Sequence, residues 1–378
     1  MKLKVTGLGK SLFLLFLVSL SINISTSCPN TEQKMVLNEV GQIDTNGEGY
    51  DVQVVGNTAY MVDTTDDNPG GLVIIDISDP SIPKKLGSYY NGGLPSSLFI
   101  AKEIAYLPAR DLGLQLVNVS DPINPQEIGN FYDGGRATCV QIVGDLAFVA
   151  DNDDGLEILN VSDPTHPTEV SQYRPYGTYF HKLVISDSLA YVTDHQTQYT
   201  GIRVLNISDP TNVFEIGKYE PSGIDFIYPY VSNDYFFAAN HYVDTGELII
   251  LDVSDPADIK KIGEFNSGGM VMKTLVDGDL AYVTDFHEGF KVLNINDPSN
   301  PVEIGHYYDD SGHACAVVVV DSLEFIADDG LEILEISFED VDTSNTIPGF
   351  EFLIIFSCLI IIPVVNQIKR IMEPKSRF

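Results

Sequence analysis

Six Asp-Pro pairs recur along this chain, each closing the same phrase. They begin at Asp79, Asp121, Asp163, Asp209, Asp255 and Asp297, at spacings of 42, 42, 46, 46 and 42 residues. The phrase reads GLVIIDISDPSIP from Gly71, GLQLVNVSDPINP from Gly113 and GLEILNVSDPTHP from Gly155. It returns as GIRVLNISDPTNV from Gly201, GELIILDVSDPADI from Gly246 and GFKVLNINDPSNP from Gly289, and breaks off after GLEILEIS from Gly330. A second phrase precedes each copy: NTAYMVD, EIAYLPA, DLAFVAD, SLAYVTD, NDYFFAAN, DLAYVTD and SLEFIAD. A fixed period in the forties, filled with short runs rich in Val, Ile, Tyr and Phe, predicts a propeller of four-stranded blades.

The third unit shows the expected blade. TCVQIV is strand one, Gly144-Asp145 the turn, LAFVAD strand two, GLEILNVS strand three, and TEVSQYR strand four beyond Asp163-Pro164. Proline falls in turns, where its missing N–H costs no ladder bond. The seventh unit lacks strand four, whereas the chain opens with an orphan copy. NEVGQI (Asn38–Ile43) matches QEIGNF (Gln126–Phe131) and VEIGHY (Val302–Tyr307). That N-terminal strand is expected to complete blade seven and close the ring, leaving no exposed edge. The predicted fold class is all-β: a seven-bladed propeller with a C-terminal transmembrane helix.

The helix expectation comes from the chain ends. Residues 1–27 have a basic start (Lys2, Lys4, Lys10), the apolar run SLFLLFLVSL and small residues before Cys28, as in a secretory signal peptide. Residues 352–368 carry no charge and are followed by Lys369, Arg370, Lys375 and Arg377, as expected of a single span with its basic flank in the cytoplasm. The organisation read from sequence is signal peptide 1–27, propeller 28–338, linker 339–351, span 352–368 and basic tail 369–378. The propeller would then sit at the cell surface, outside the membrane.

Charge sharpens once the ends are set aside. The chain has 21 Lys and Arg against 54 Asp and Glu, a net of −33. Residues 28–350 hold 14 of those cations and 52 of those acids, a net of −38. A body this acidic repels phosphate backbones, so nucleic-acid binding is excluded.

The repeat resembles the LVIVD-repeat family of extracytoplasmic β-propellers, with LVIID at Leu72–Asp76 close to the family's name and the likeness running over residues 35–338. The resemblance implies a surface protein and brings no catalytic set. Ile347-Pro348-Gly349-Phe350-Glu351 is similar to archaeal Pro-Gly-Phe sorting tails.

Candidate sites lie where the strand-two exits meet the loops entering strand one. Asp63, Asp151, Asp194, Asp285 and Asp328 fall at one repeated position, shared with Asn240 and interrupted by Ala109. Carboxylates suit a hard cation such as Ca²⁺, and they equally suit loops held by Asp side chains. Glu48, Arg136, Tyr179, Asp225 and His313 occupy a second equivalent position, at the expected channel mouth. With His195 and His241, beside the longer loops of units four and five, they form the expected ligand face; a His–carboxylate site for a transition metal is the alternative there. Cys139 and Cys315 are one residue out of phase on non-adjacent blades, and no disulfide is expected between them. Asn118, Asn160 and Asn206 head glycosylation sequons at the end of strand three.

Two function classes follow. The first is a membrane-anchored, non-enzymatic surface module that binds a protein, a glycan or an envelope component. The alternative is an extracytoplasmic enzyme, a metal-dependent hydrolase or an oxidoreductase, with its site at the central channel mouth. The near-uniform blades and the absence of Trp favour the first.

Overall fold

The computed structural model describes residues 31–64, 70–90, 92–195, 200–222, 224, 226–240, 246–308 and 313–342. Met35–Phe338 forms one compact unit. Its strands make seven four-stranded sheets, each pairing in chain order for blades one to six. The first strands are Glu48–Val55, Phe99–Ala101, Cys139–Val143, Phe180–Ser186, Phe226–Ser232, Val271–Asp277 and Ala316–Val320. Each touches the next, and the last touches the first, so they line a closed central channel.

Closure is as the sequence predicts. Thr31–Asp44 lies outermost in the seventh sheet, against Gly330–Asp342. Gly330 rests on Ile43 and Asn38 Nδ2 donates to Ser337 Oγ at 2.8 Å, so the two strands run in opposite directions. The core is a set of clusters between neighbouring blades. One joins Val52, Met61, Val73 and Ile75 of blade one to Phe325, Ala327 and Leu331 of blade seven.

The repeated phrase has a mechanical meaning. The Asp that starts each Asp-Pro pair folds its own turn; Asp79 Oδ1 accepts the Ser81 N–H at 3.1 Å. Three residues earlier an Asp or Asn does the same: Asp76, Asn118, Asn160, Asn206 and Asp252 all accept the N–H two residues on. The three sequon asparagines are thus members of a turn-holding position that Asp fills elsewhere. Each turn then wedges onto the fourth strand of the preceding blade at its Gly. A Cβ at Gly129 would stand 2.0 Å from the Pro164 carbonyl oxygen, and one at Gly41 2.3 Å from that of Pro80. Blade three has Ser171 at this position, and its hydroxyl donates to the Pro210 carbonyl instead. Gly129→Val should therefore cost about 1–3 kcal/mol, read as a lower denaturant midpoint, while Gly129→Ser costs clearly less. Equal midpoints for the two variants would refute the wedge.

One element of the predicted fold class is corrected. Every element of the described chain is a strand, and among the described residues no helix is long and apolar enough to cross a membrane. The apolar runs of the described chain are strand-length and are spent between blades, as Gly71–Asp76 shows with five of its six residues buried. Over the described residues the fold is all-β without the helix, and none of its elements supplies a single-pass membrane anchor. The expected span 352–368, like the signal peptide 1–27, the tail 369–378 and the residues after 342 in the linker, lies outside the described residues.

Candidate functional site

The repeated acids are buried, each at the end of a different second strand. Asp63, Asp151, Asp194, Asp285 and Asp328 are all under 5% exposed. Three of them hold the loop that enters their own blade. Asp285 Oδ1 accepts the N–H of Met270 (2.8 Å), His287 (2.9 Å) and Glu288 (3.1 Å). Asp194 Oδ1 accepts the Tyr179 N–H at 2.8 Å, and Asp328 Oδ1 those of His313 and Asp329 at 2.9 and 2.7 Å. Burial pushes the Asp63 carboxyl up to about 6, and burial with the nearby Asp133 charge pushes Asp151 up to about 7.

These five do not converge. Among the described residues two groups of three could hold a metal ion, and each contains one of the five: His313 with Asp328 and Asp329, and Asp151 with Asp133 and Glu157. In the first, Asp328 is already engaged by backbone donors. The expected ligand face is divided as well. Arg136 pairs with Asp111 at 2.9 Å on the exposed rim, a contact worth little in water. Glu48 accepts the Tyr50 hydroxyl at 2.9 Å. His195 Nε2 lies 2.8 Å from the Phe226 carbonyl, with its ring 4.7 Å from that of His181, and His313 stacks on Phe286 at 4.4 Å. Asp225 and His241 lie outside the described residues.

A different set of side chains converges on the channel. Counting four back from the last residue of each first strand gives Asp51, Ser97, Cys139, Lys182, Tyr228, Lys273 and Ala316. The register confirms the equivalence. Asp51, Cys139, Lys182, Lys273 and Ala316 each sit opposite the residue just before the repeated acid, namely Val62, Ala150, Thr193, Thr284 and Ala327. In the blades that carry Asp51, Lys182, Tyr228 and Lys273 the pairing slips at this point. Where the residue is Cys139 or Ala316 it runs without a slip. A bulge turns a side chain away from its regular direction, and here it marks the four blades with a charged or aromatic ring residue. Tyr228 adds φ 48°, a left-handed backbone that a bulky residue adopts only under constraint.

Together these residues surround a cavity of about 110 Å³, lined also by Ser96, Gln53 and Tyr50. Lys182 is 3% exposed. Its Nζ donates to the Ser96 carbonyl and hydroxyl (3.0 and 3.2 Å) and to the Thr138 carbonyl (3.3 Å), and lies 5.1 Å from the Tyr228 ring centre. Burial lowers its pKa, while Asp51 opposes that and Lys273 and Arg110 add to it. Lys273 Nζ pairs with Asp51 Oδ1, and Asp51 Oδ2 accepts the Leu98 N–H at 3.0 Å. Two lysines thus share one carboxylate at this cavity, inside a strongly acidic protein.

The sequence comparison fits the observed repeat. A model described as the LVIVD repeat matches residues 46–91, 134–174, 179–220, 230–267 and 268–309, more than half of the chain. The chain belongs to the LVIVD repeat family. The segments left unmatched include blade two, where Ala109 replaces the repeated acid, and the divided blade seven. No curated protein matches the chain. Among solved structures, the RRP9 WD40 repeats superpose with a TM-score of 0.63 at 8% identity, covering 82% of this chain and 100% of that one. U3-55K does so with 0.61 at 8%, covering 79% and 98%. The computationally designed Ika8 protein gives 0.56 at 10%, covering 80% and 99%. At such identities the likeness is one of fold alone.

Within this LVIVD propeller the membrane partner expected from sequence is corrected. No described helix joins it to a membrane. Exposed large apolar side chains occur from Val55 in blade one to Phe338 in blade seven. The convergent polar groups lie around a small cavity. Cys139 and Cys315 are free and buried, and burial pushes the Cys315 thiol up, which keeps it protonated and unreactive.

Proposed function

We propose that this LVIVD-repeat propeller is a non-catalytic binding module that takes a small anion into its central channel. The observation that carries the reading is the bulged ring position, where Asp51, Lys182, Tyr228 and Lys273 surround the cavity. A cavity of about 110 Å³ suits a ligand of a few heavy atoms, such as a short carboxylate or inorganic phosphate. Lys182 is the fixed positive floor, with three N–H donors matched by three oxygen acceptors. Lys273, held from one side by Asp51, is the cation that offers its remaining N–H groups to the ligand. The engaged Lys182 amine and the buried thiols favour binding over nucleophilic chemistry. The likeness of residues 347–351 to archaeal sorting tails stays a proposal about processing, checked by mass spectrometry of the mature C-terminus.

Calorimetric titration of the purified protein with phosphate, acetate and succinate tests the channel. At least one anion should bind saturably, and Lys273→Met should weaken it tenfold or more, since loss of a desolvated charge partner costs about 2–5 kcal/mol. Flat titrations with all three anions would sink the reading.

A further inference from the structure

Blade six and blade three share one loop design, and comparing them locates a missing positive charge. In blade six the loop Ser267-Gly268-Gly269 presses on Asp285: a Cβ at Gly269 would stand 2.0 Å from Asp285 Oδ1. The Ser267 hydroxyl donates to Asp285 Oδ2. Lys291, two residues after the Gly289 that opens strand three, brings Nζ to the Ser267 carbonyl at 2.7 Å. In blade three the loop is Asp133-Gly134-Gly135, and a Cβ at Gly135 would stand 2.3 Å from Asp151 Oδ1. Two residues after Gly155 comes Glu157. The three positions that hold a hydroxyl, a carboxylate and an ammonium in blade six therefore hold Asp133, Asp151 and Glu157 in blade three. Blade four makes the same point, since Arg203, at the position of Glu157, neutralises Asp194 through Nε–Oδ2 at 2.7 Å.

The three blade-three acids bring ligand oxygens within 4.8 Å of one another. Glu157 and Asp151 are 1% and 3% exposed, and Asp151 Oδ1 and Glu157 Oε1 have no hydrogen-bond donor among the described residues. Asp133 is exposed and closes the group from the solvent side. The nearby cation Arg174 is paired with Asp154. The Arg136 N–H serves Asp151, but each of the two buried carboxylates still has one oxygen without a donor and three acids crowd together, an arrangement that is costly without a counter-charge.

We infer that Asp133, Asp151 and Glu157 form a site for a hard divalent cation, which occupies in blade three the electrostatic place of Lys291 in blade six and Arg203 in blade four. Three carboxylates, each able to bind through one or two oxygens, and no nitrogen or sulfur donor, match the Ca²⁺ class. Asp133 lies on the loop before strand one, so the cation ties that loop to the blade.

The test is a thermal melt of the whole protein at pH 7.5, first treated with chelator and then titrated with Ca²⁺, alongside calorimetry. Ca²⁺ should raise the melting temperature by several degrees with saturable heat. Asp133→Asn, at an exposed position that leaves folding intact, should weaken binding tenfold or more. Glu157→Lys imports the blade-six arrangement: it should raise the melting temperature of the chelated protein and abolish its response to Ca²⁺. A flat titration of the wild type up to 10 mM, or a Ca²⁺ response that survives both substitutions, would overturn the site.

Discussion

A variant lacking residues 34–43 should yield no cooperatively folded protein. The N-terminal strand is a structural part of three blades. Met35 and Leu37 are buried with Tyr282, Phe290 and Val292 of blade six and Leu334 of blade seven, while Val40 and Ile43 pack on the cluster shared by blades seven and one. Full burial of such a side chain contributes about 1.5–3 kcal/mol, so two buried and two half-buried ones reach the lower part of the ~5–15 kcal/mol that holds a whole domain together. Deletion also uncovers the hydrogen-bonding edge of Gly330–Asp342, an invitation to intermolecular pairing. Soluble yield and a circular-dichroism melt provide the check. A melt within 5 °C of the intact protein would show that the ring closes without this strand.

The second large effect concerns Glu324. At this place in the second strand, blades one to four and six carry Ala59, Ala105, Ala147, Ala190 and Ala281. Glu324 is 1% exposed and its Oε2 has no hydrogen-bond donor. Burial pushes its carboxyl up to about 8, with its own backbone N–H opposing and Glu335 adding to the rise. A carboxyl raised on folding binds its proton more tightly in the native state. Its stabilisation is therefore complete below the ordinary carboxylate range and is lost as pH climbs through about 8. The loss is on the order of 4 kcal/mol. Denaturant unfolding between pH 5 and 8.5 should show the native protein weakening with pH, and Glu324→Gln weakening much less. Parallel curves for the two proteins would mean that Glu324 carries no such shift.

These residues show what a sequence displays and what it conceals. The blade plan was legible because it is periodic: the Asp-Pro turn, the two-residue hairpins and the orphan NEVGQI strand recur, and recurrence needs no register to be seen. The repeated Asp was legible as a position, but its surroundings were not. Asp151 and Asp285 look alike in sequence. They differ in what the fold brings to them, Asp133 and Glu157 in one case, Ser267 and Lys291 in the other. The channel ring was harder still. Asp51, Lys182, Tyr228 and Lys273 sit where the repeats disagree, and a search for common features passes over that disagreement. The bulges that point these side chains into the channel show only in the pairing register. The transmembrane expectation rested on an uncharged run and its basic flank, with no repeat partner to test it, and every regular element of the described chain is a strand.

The Gly-to-Pro wedges have a consequence for how this molecule could be altered. On the face that carries them, every connection has a constant length. Hairpins of two residues run from Gly56-Asn57 to Asp321-Ser322, and each hairpin from blade one to blade six is bonded to its own Asp-Pro segment, as Val161 N–H is to the Asp145 carbonyl. On the opposite face the connections differ freely, from Asp328-Asp329 in blade seven to residues 241–246 in blade five. A graft, reporter or affinity tag should therefore be tolerated on the second face and be ruinous on the first, where one added residue lifts a wedge and loosens two blades. The propeller has a chassis side and an open side, and the Ser96-Ser97 loop that lines the channel cavity and the blade-three acids both belong to the open one.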